Sequence, residues 1–184
     1  IQIDIEGDDH LRLSRPDVML EAATTSFQLH LQVPFDLAGR YYNASLICCA
    51  PLLAVAVNSP LLFGQRLWQE TRVPLFEQSV ELGGYAGLAE PTLRRVTFGR
   101  GYVASSLLEL FEENLEHYPV LLPMPLAEPP SRYPHLRLHN GAIWRWVRPL
   151  IGFDAAGQAH VRLEQRVLPS GPTVLDMIAN AALN

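Results

Sequence analysis

Residues 160–167 alternate polar and apolar side chains, and this pattern strongly limits how the chain can fold. Successive side chains of a β-strand point to opposite faces of a sheet. The polar side chains that a strand would place together are His160, Arg162, Glu164 and Arg166. Mostly apolar residues occupy the other face. We therefore predict a strand whose back packs on a core and whose front carries charge.

Two interpretations of this charged front remain open. Two arginines that flank Glu164 on a rigid face are suited to holding an anionic ligand together with a divalent cation. The same residues also suit a surface ladder of ion pairs, each contributing roughly 0–1 kcal/mol. Residues 27–33 repeat the layout, with apolar side chains alternating with glutamines and His30. Two such strands predict a sheet whose open face is an active site.

Composition limits the class of protein and its partners. The chain has 184 residues, is 48% hydrophobic and carries a net charge of -5, which is typical of one folded domain. No basic run is present, so we expect neither nucleic acid nor a membrane as a partner. All 14 basic residues are arginine, so a bound phosphate would be held by guanidinium groups. Cys48 and Cys49 lie in an apolar run and predict buried free thiols.

Strands and helices alternate along the chain, and the turn signals favour antiparallel pairing, so we predict an α+β fold. Asn140-Gly141 is the strongest turn signal, and Pro51 is expected to kink or split the long helix. The predicted strands cover residues 2–5, 25–33, 136–138, 142–152 and 160–167. The predicted helices cover residues 16–22, 36–57, 105–117 and 173–183.

Residues 61–81 have no clear period and are predicted as a loop. Their aromatic side chains and arginines suit the wall of a ligand site. Arg66, Glu70 and Arg72 either close over a substrate or belong to a solvated loop.

Five strings, taken in order, resemble one enzyme superfamily. They are residues 25–32, 42–44, 58–60, 139–149 and 162–172, the last beginning Arg-Leu-Glu-Gln-Arg and reaching Pro169 before a helix rich in small residues. Their order and spacing resemble the glutamine synthetase-like superfamily, and more closely its γ-glutamate–cysteine ligase and carboxylate–amine ligase branch. The resemblance runs from about residue 20 to the C-terminus.

This resemblance implies an antiparallel sheet forming part of a catalytic funnel, with helices on its other face. It implies an ATP-dependent ligase that uses Mg²⁺ or Mn²⁺ and joins a carboxylate to an amine through an acyl phosphate. The substrates would be amino acids, with glutamate and cysteine as the best single pair, and the expected location is the cytoplasm. Glu164 corresponds to a metal ligand, and His30 and Arg162 to cofactor-binding residues. Arg166, Arg145 and Arg148 correspond to catalytic arginines.

The resemblance also implies that residues 1–184 are a single domain, the larger C-terminal part of a catalytic domain. Further metal-binding glutamates are expected upstream of Ile1, so residues 1–184 alone are expected to be inactive as a ligase. Gln28 stands where many relatives have histidine. Arg145 and Arg148 are three positions apart, so a regular strand would turn them to opposite faces unless a bulge intervenes. The alternative function is a non-catalytic or incomplete nucleotide- or anion-binding module of the same fold. A guanidino-phosphotransferase ranks below both.

Overall fold

A computed structural model describes residues 1–81 and 94–184. Those residues form a mixed α+β structure with small sheets and six α-helices, so the predicted class is confirmed. The strands are β1 (Gln2–Glu6), β2 (His10–Ser14), β3 (Leu29–Val33), β4 (Leu61–Leu62), β5 (Gln65–Arg66), β6 (Val96–Thr97), β7 (Trp144–Arg145), β8 (Val147–Phe153) and β9 (Ala159–Gln165). The helices are α1 (Met19–Ala22), α2 (Ala38–Ala56), α3 (Arg72–Ser79), α4 (Leu108–His117), α5 (Pro134–Gly141) and α6 (Val174–Leu183).

The chain divides into two compact units, and each is built from separate segments. The first unit comprises Ile1–Gln28, Cys48–Tyr85 and Arg166–Asn184. The second comprises Leu29–Ile47 and Ala86–Gln165. Each unit has its own sheets, so we describe each by itself.

The first unit is organised around the β1–β2 hairpin. Alternate residues of β1 are buried, because the strand turns Ile3 and Ile5 to the same face. These side chains form a core cluster with residues from α1, α3 and the segment between them, namely Leu20, Leu67 and Leu75. The hairpin turn falls at Gly7-Asp8-Asp9.

The second unit contains a three-stranded antiparallel sheet in the order β3-β9-β8. β9 is the central strand and pairs with β3 on one side and β8 on the other. Its back face is the apolar one expected from the alternation, since Val161 and Leu163 are buried. On that face Gln165 also donates a 2.9 Å hydrogen bond from Nε2 to Ser45 of α2, which satisfies its amide nitrogen.

The strand predicted at residues 136–138 is wrong. These residues belong to α5, and the predicted turn at Asn140-Gly141 is the last part of that helix. Pro134 occupies the first turn, where the missing N–H of proline leaves no intrahelical bond unmade. Three alternating residues are too few to separate a strand from a helix, and the proline was the better signal.

The loop predicted at residues 61–81 is also wrong. That segment contains the β4–β5 hairpin and helix α3. Pro74 lies in the first turn of α3, a position that helices accept. Pro51 lies inside α2, which continues unbroken to Ala56, so the split expected there does not occur.

Several local predictions are confirmed. Thr173 caps α6 through a capping box with Asp176, in which each side chain accepts a hydrogen bond from the other residue's backbone N–H. Cys48 and Cys49 are both free, as predicted, but Cys48 is only half-buried. Cys49 is buried, and this burial raises the pKa of its thiol to about 12. Among residues 1–81 and 94–184, none of the helices combines the length and apolar character needed to cross a bilayer.

We predict that the back face of β9 carries much of the stability of the second unit. Leu163 is 0% exposed, whereas Leu31, its partner on β3, is 43% exposed. Leu163→Ala should lower the free energy of unfolding by about 2–5 kcal/mol, because it removes buried methyl groups and leaves a cavity. Leu31→Ala is the matched control and should cost clearly less. Chemical denaturation of both variants measures the difference, and equal costs would contradict the assignment of this core.

Candidate functional site

A row of three polar side chains crosses the front face of the second unit's sheet. The strand register pairs His30 of β3 with Glu164 of β9, and Glu164 with Arg148 of β8. Residues that pair across neighbouring strands share a face. The structure therefore places three of the residues singled out in the sequence side by side.

Glu164 is the centre of this row. Arg148 Nη2 lies 3.1 Å from both Glu164 Oε1 and Glu164 Oε2. His30 Nε2 lies 3.5 Å from Glu164 Oε2. Glu164 is 3% exposed, whereas the His30 side chain is 36% exposed. The carboxylate is thus enclosed on the Arg148 side and approached by solvent only near His30.

Arg148 also connects the sheet to the end of α5. Its Nη1 donates a 3.0 Å hydrogen bond to the carbonyl of Gly141, and the carbonyls of Asn140 and Ile143 lie within 3.5 Å. The last carbonyls of a helix have no intrahelical partner and carry partial negative charge. One guanidinium therefore neutralises a carboxylate and closes the C-terminal end of a helix.

Arg145 occupies a different environment from Arg148. The chain leaves β7 at Arg145 and enters β8 two residues later, and β7 pairs with β6 in a separate parallel sheet. Arg145 Nη2 lies 3.1 Å from Glu113 Oε1 and 2.9 Å from Asn114 Oδ1. Arg145 is 0% exposed, and Gly99 leaves the room it needs, because a Cβ there would overlap Nη1. The two arginines therefore do not share one site.

Arg162 and Arg166 differ in their relation to the row. Arg162 lies on the same face as Glu164, opposite Gln32 and Leu150, and is half-buried. Arg166 follows the last residue of β9, so the predicted strand ends before it. Arg166 is buried and belongs to the first unit. The structure brings together His30, Arg148, Arg162 and Glu164 on one sheet face. Arg166 lies beyond the end of β9 and is not on that strand.

The sequence analysis missed a buried ion pair in the first unit. Arg72 Nε donates to Glu70 Oε1 at 3.0 Å, and both residues are 5% exposed. Arg72 also donates to the carbonyls of Arg166 and Val167. Burial lowers the pKa of Arg72, and the charge of Glu70 opposes that shift. The solvated loop proposed for these residues is therefore wrong, whereas Arg66 is exposed and pairs with Asp8.

The described residues do not by themselves form a magnesium site. In residues 1–81 and 94–184, no group of three or more His, Cys, Asp or Glu side chains is placed to share a metal ion. Mg²⁺ takes six oxygen ligands, and a carboxylate whose two oxygens already face Arg148 supplies only part of that set.

Comparison of the chain with protein-family models, with curated proteins and with solved structures found no match.

We predict that Arg148 is required for folding as well as for any function of the row. Arg148→Met keeps most of the side-chain length but leaves Glu164 buried without its charge partner, which should cost about 3–5 kcal/mol. The control is Arg12→Met, which removes the arginine of an exposed pair with Asp4. Exposed pairs contribute little, so this control should melt close to the wild type. Equal melting temperatures for the two variants would contradict the structural role of Arg148.

Proposed function

We propose that this chain forms part of the catalytic funnel of an ATP-dependent carboxylate–amine ligase of the glutamine synthetase-like type, with glutamate–cysteine ligase as the best single match. The observation that carries the proposal is the row His30, Glu164 and Arg148 across three antiparallel strands. The resemblance implies a metal ligand at Glu164, a cofactor-binding residue at His30 and a catalytic arginine at Arg148, and these roles need the three side chains on one sheet face. The register of β3, β9 and β8 supplies that arrangement.

The proposed reaction transfers the γ-phosphoryl group of ATP to a substrate carboxylate, giving an acyl phosphate and ADP. An amine then attacks the acyl carbon, and phosphate leaves as the amide forms. Such phosphoryl transfer depends on positioning and on neutralising negative charge. Arg162 lies on the same sheet face as Glu164 and is half-buried, so it is suited to meet phosphate oxygens. Arg148 lies on that face too but already donates to Glu164 and to backbone carbonyls, so its proposed catalytic role is to position Glu164. Arg166 stays a proposed phosphate or substrate contact.

The proposal differs from the sequence expectation in two places. Arg145 is enclosed with Glu113 and Asn114, so we propose a structural role for it and no contact with substrate. Glu164 is the proposed carboxylate for Mg²⁺ or Mn²⁺, but the remaining oxygen ligands would have to come from the nucleotide and from groups outside the described set. His30 is half-exposed beside Glu164 and is the proposed nucleotide-side residue.

A specific observation favours a second candidate function. Both carboxylate oxygens of Glu164 lie 3.1 Å from Arg148 Nη2, which leaves the carboxylate already neutralised. A face with that pairing and with Arg162 beside it fits a non-catalytic module that binds a nucleotide or another anion. This module would use the same arginines for binding and would have no turnover.

Product formation separates the two candidates. We expect the full-length protein, supplied with ATP, Mg²⁺, glutamate and an amine such as cysteine, to release phosphate only when both substrates are present. The amide should form in an amount equal to the phosphate. Nucleotide binding in a calorimeter without turnover would favour the module instead. Absence of both binding and turnover would contradict both candidates.

We predict that Glu164→Gln lowers kcat of the ligase by about 10²–10³, because it removes a positioned charge worth about 3–4 kcal/mol at the transition state. Glutamine keeps the size of the side chain, and circular dichroism checks that the fold survives.

Arg162→Lys keeps a charge on the same face, and it should cost much less than Glu164→Gln if Arg162 only flanks the site. Arg166→Lys, which loses the planar guanidinium, should be severe if that arginine grips a phosphate or carboxylate in two places. The Arg166→Lys variant also tests the proposal in case Glu164→Gln fails to fold. Wild-type kcat in Glu164→Gln or in Arg166→Lys would remove that residue from the active site.

A further inference from the structure

A cavity of about 500 Å³ lies inside the second unit, on the side of the sheet opposite the Glu164 row. Three of its walls are the side chains of Pro149, Ile151 and Val161, which alternate with Arg148 and Glu164 along their strands and so point the other way. The other walls come from the first turns of α2 and α4. Small-molecule sites typically enclose roughly 300–1,000 Å³ and are mostly apolar. The cavity has that size and character.

The polar groups at this cavity favour a cation. Among the described residues that line it, Asp36 is the only one with a formal charge, and Ser105 and Ser106 supply hydroxyl groups. Asp36 is exposed and precedes α2. No hydrogen bond or ion pair of its carboxylate occurs within residues 1–81 and 94–184. This carboxylate is therefore available to a ligand.

The positive N-terminal ends of α2 and α4 do not cancel the negative charge at this cavity. A helix N-terminus is equivalent to roughly +0.5 charge, so two of them contribute about +1. Glu109 accepts hydrogen bonds from the backbone N–H groups of Ala104, Ser105 and Ser106. These bonds hold the pKa of Glu109 at about 2, so it is ionised at neutral pH. The ionised Glu109 therefore offsets the positive end of α4, and Asp36 remains the only formal charge among the described residues that line the cavity.

Three aromatic side chains complete the lining, namely Phe35, Phe111 and Tyr133. Phe35 is 64% exposed and Tyr133 is 49% exposed, so both lie where a ligand would enter. Aromatic faces attract ammonium groups, and a carboxylate among aromatic rings is a common way to bind them. Tyr133 also has a left-handed backbone (φ 51°) directly before Pro134, where that conformation is unfavourable. Backbone strain of this kind is concentrated at ligand sites.

We propose that this cavity binds a small ammonium compound with an apolar body, with the ammonium group at Asp36 and the body between the β8–β9 back face and α4. This site is separate from the proposed ligase face and does not depend on it. The hydroxyl groups of Ser105 and Ser106 would orient the head group, and the apolar walls would enclose the chain.

Calorimetric titration with three probes of equal length tests the proposal. The probes are n-octylammonium, 1-octanol and octanoate, which differ mainly in the charge of the head group; an alkyl amine with a pKa of about 10 is protonated at pH 7. We expect n-octylammonium to bind once per chain and at least tenfold more tightly than octanol. Octanoate should bind most weakly. Tightest binding by octanoate, equal binding of all three, or no saturable binding would overturn the proposal.

Three variants test where the head group and the apolar body of the ligand bind in the cavity. Asp36→Asn should remove the tenfold preference for n-octylammonium and leave octanol binding unchanged. Glu112→Gln is the matched control, because it removes an exposed carboxylate of α4 that does not line the cavity, and it should change nothing. Ala159→Trp fills the cavity from an exposed position and should weaken n-octylammonium and octanol alike. A preference that survives Asp36→Asn would refute the assigned head-group site, whether or not the tryptophan variant folds.

Discussion

The buried pair of Arg148 and Glu164 is the interaction on which the second unit's sheet and its neighbouring helix both depend. It joins β8 to β9 on one face, and through Arg148 it reaches the last carbonyls of α5. Bringing two charges out of water costs several kcal/mol per ion, and their attraction offsets this only when the remaining donors and acceptors are satisfied. The carbonyls of α5 supply partners for Arg148, and His30 supplies one for Glu164. The pair is thus stable in place but sensitive to the loss of either member.

Buried arginines recur in both units, and each meets oxygen atoms of the backbone or of a carboxylate. Arg72 donates to Glu70 and to two carbonyls. Arg95 donates to the carbonyls of Ala142 and Pro119. The guanidinium is planar, stays charged and offers five donors in a fixed fork, so one side chain can satisfy several acceptors at once. In this chain, which has no lysine, buried arginines can therefore link neighbouring segments through several hydrogen bonds each. The same guanidinium geometry also suits phosphate. The burial of an arginine alone therefore does not distinguish a structural role from phosphate binding.

The sequence predicted four of the described helices (α1, α2, α4 and α6) and the strands β1, β3, β8 and β9, but it missed α3 and α5. The alternation in residues 160–167 identified the apolar back of β9, and the strand carrying His30 pairs with it. Two residues of the candidate row were therefore recognisable before the structure. The alternation in residues 136–138 was too short to distinguish a strand from α5. The pairing of Arg72 with Glu70 was not predictable, because it depends on carbonyl groups more than 90 residues away. The different environments of Arg145 and Arg148 agree with their odd spacing, which turns them to opposite faces of a regular strand, although the break between β7 and β8 was not predicted.

The discontinuous make-up of the two units has a consequence for how the chain reaches its folded state. The central strand β9 pairs with β3 from the other end of the sequence, and the hydrogen bond between Gln165 and Ser45 joins residues 120 positions apart. Closing a loop of that length costs entropy that increases only as the logarithm of its length, so the final stability suffers little. The folding rate is affected more. The entropy of closing the loop must be lost before the contacts between distant residues stabilise the chain, so such topologies fold slowly. During synthesis, β3 emerges long before β9 and has an unpaired edge in the meantime. That edge is the part of the nascent chain most exposed to mispairing with other molecules.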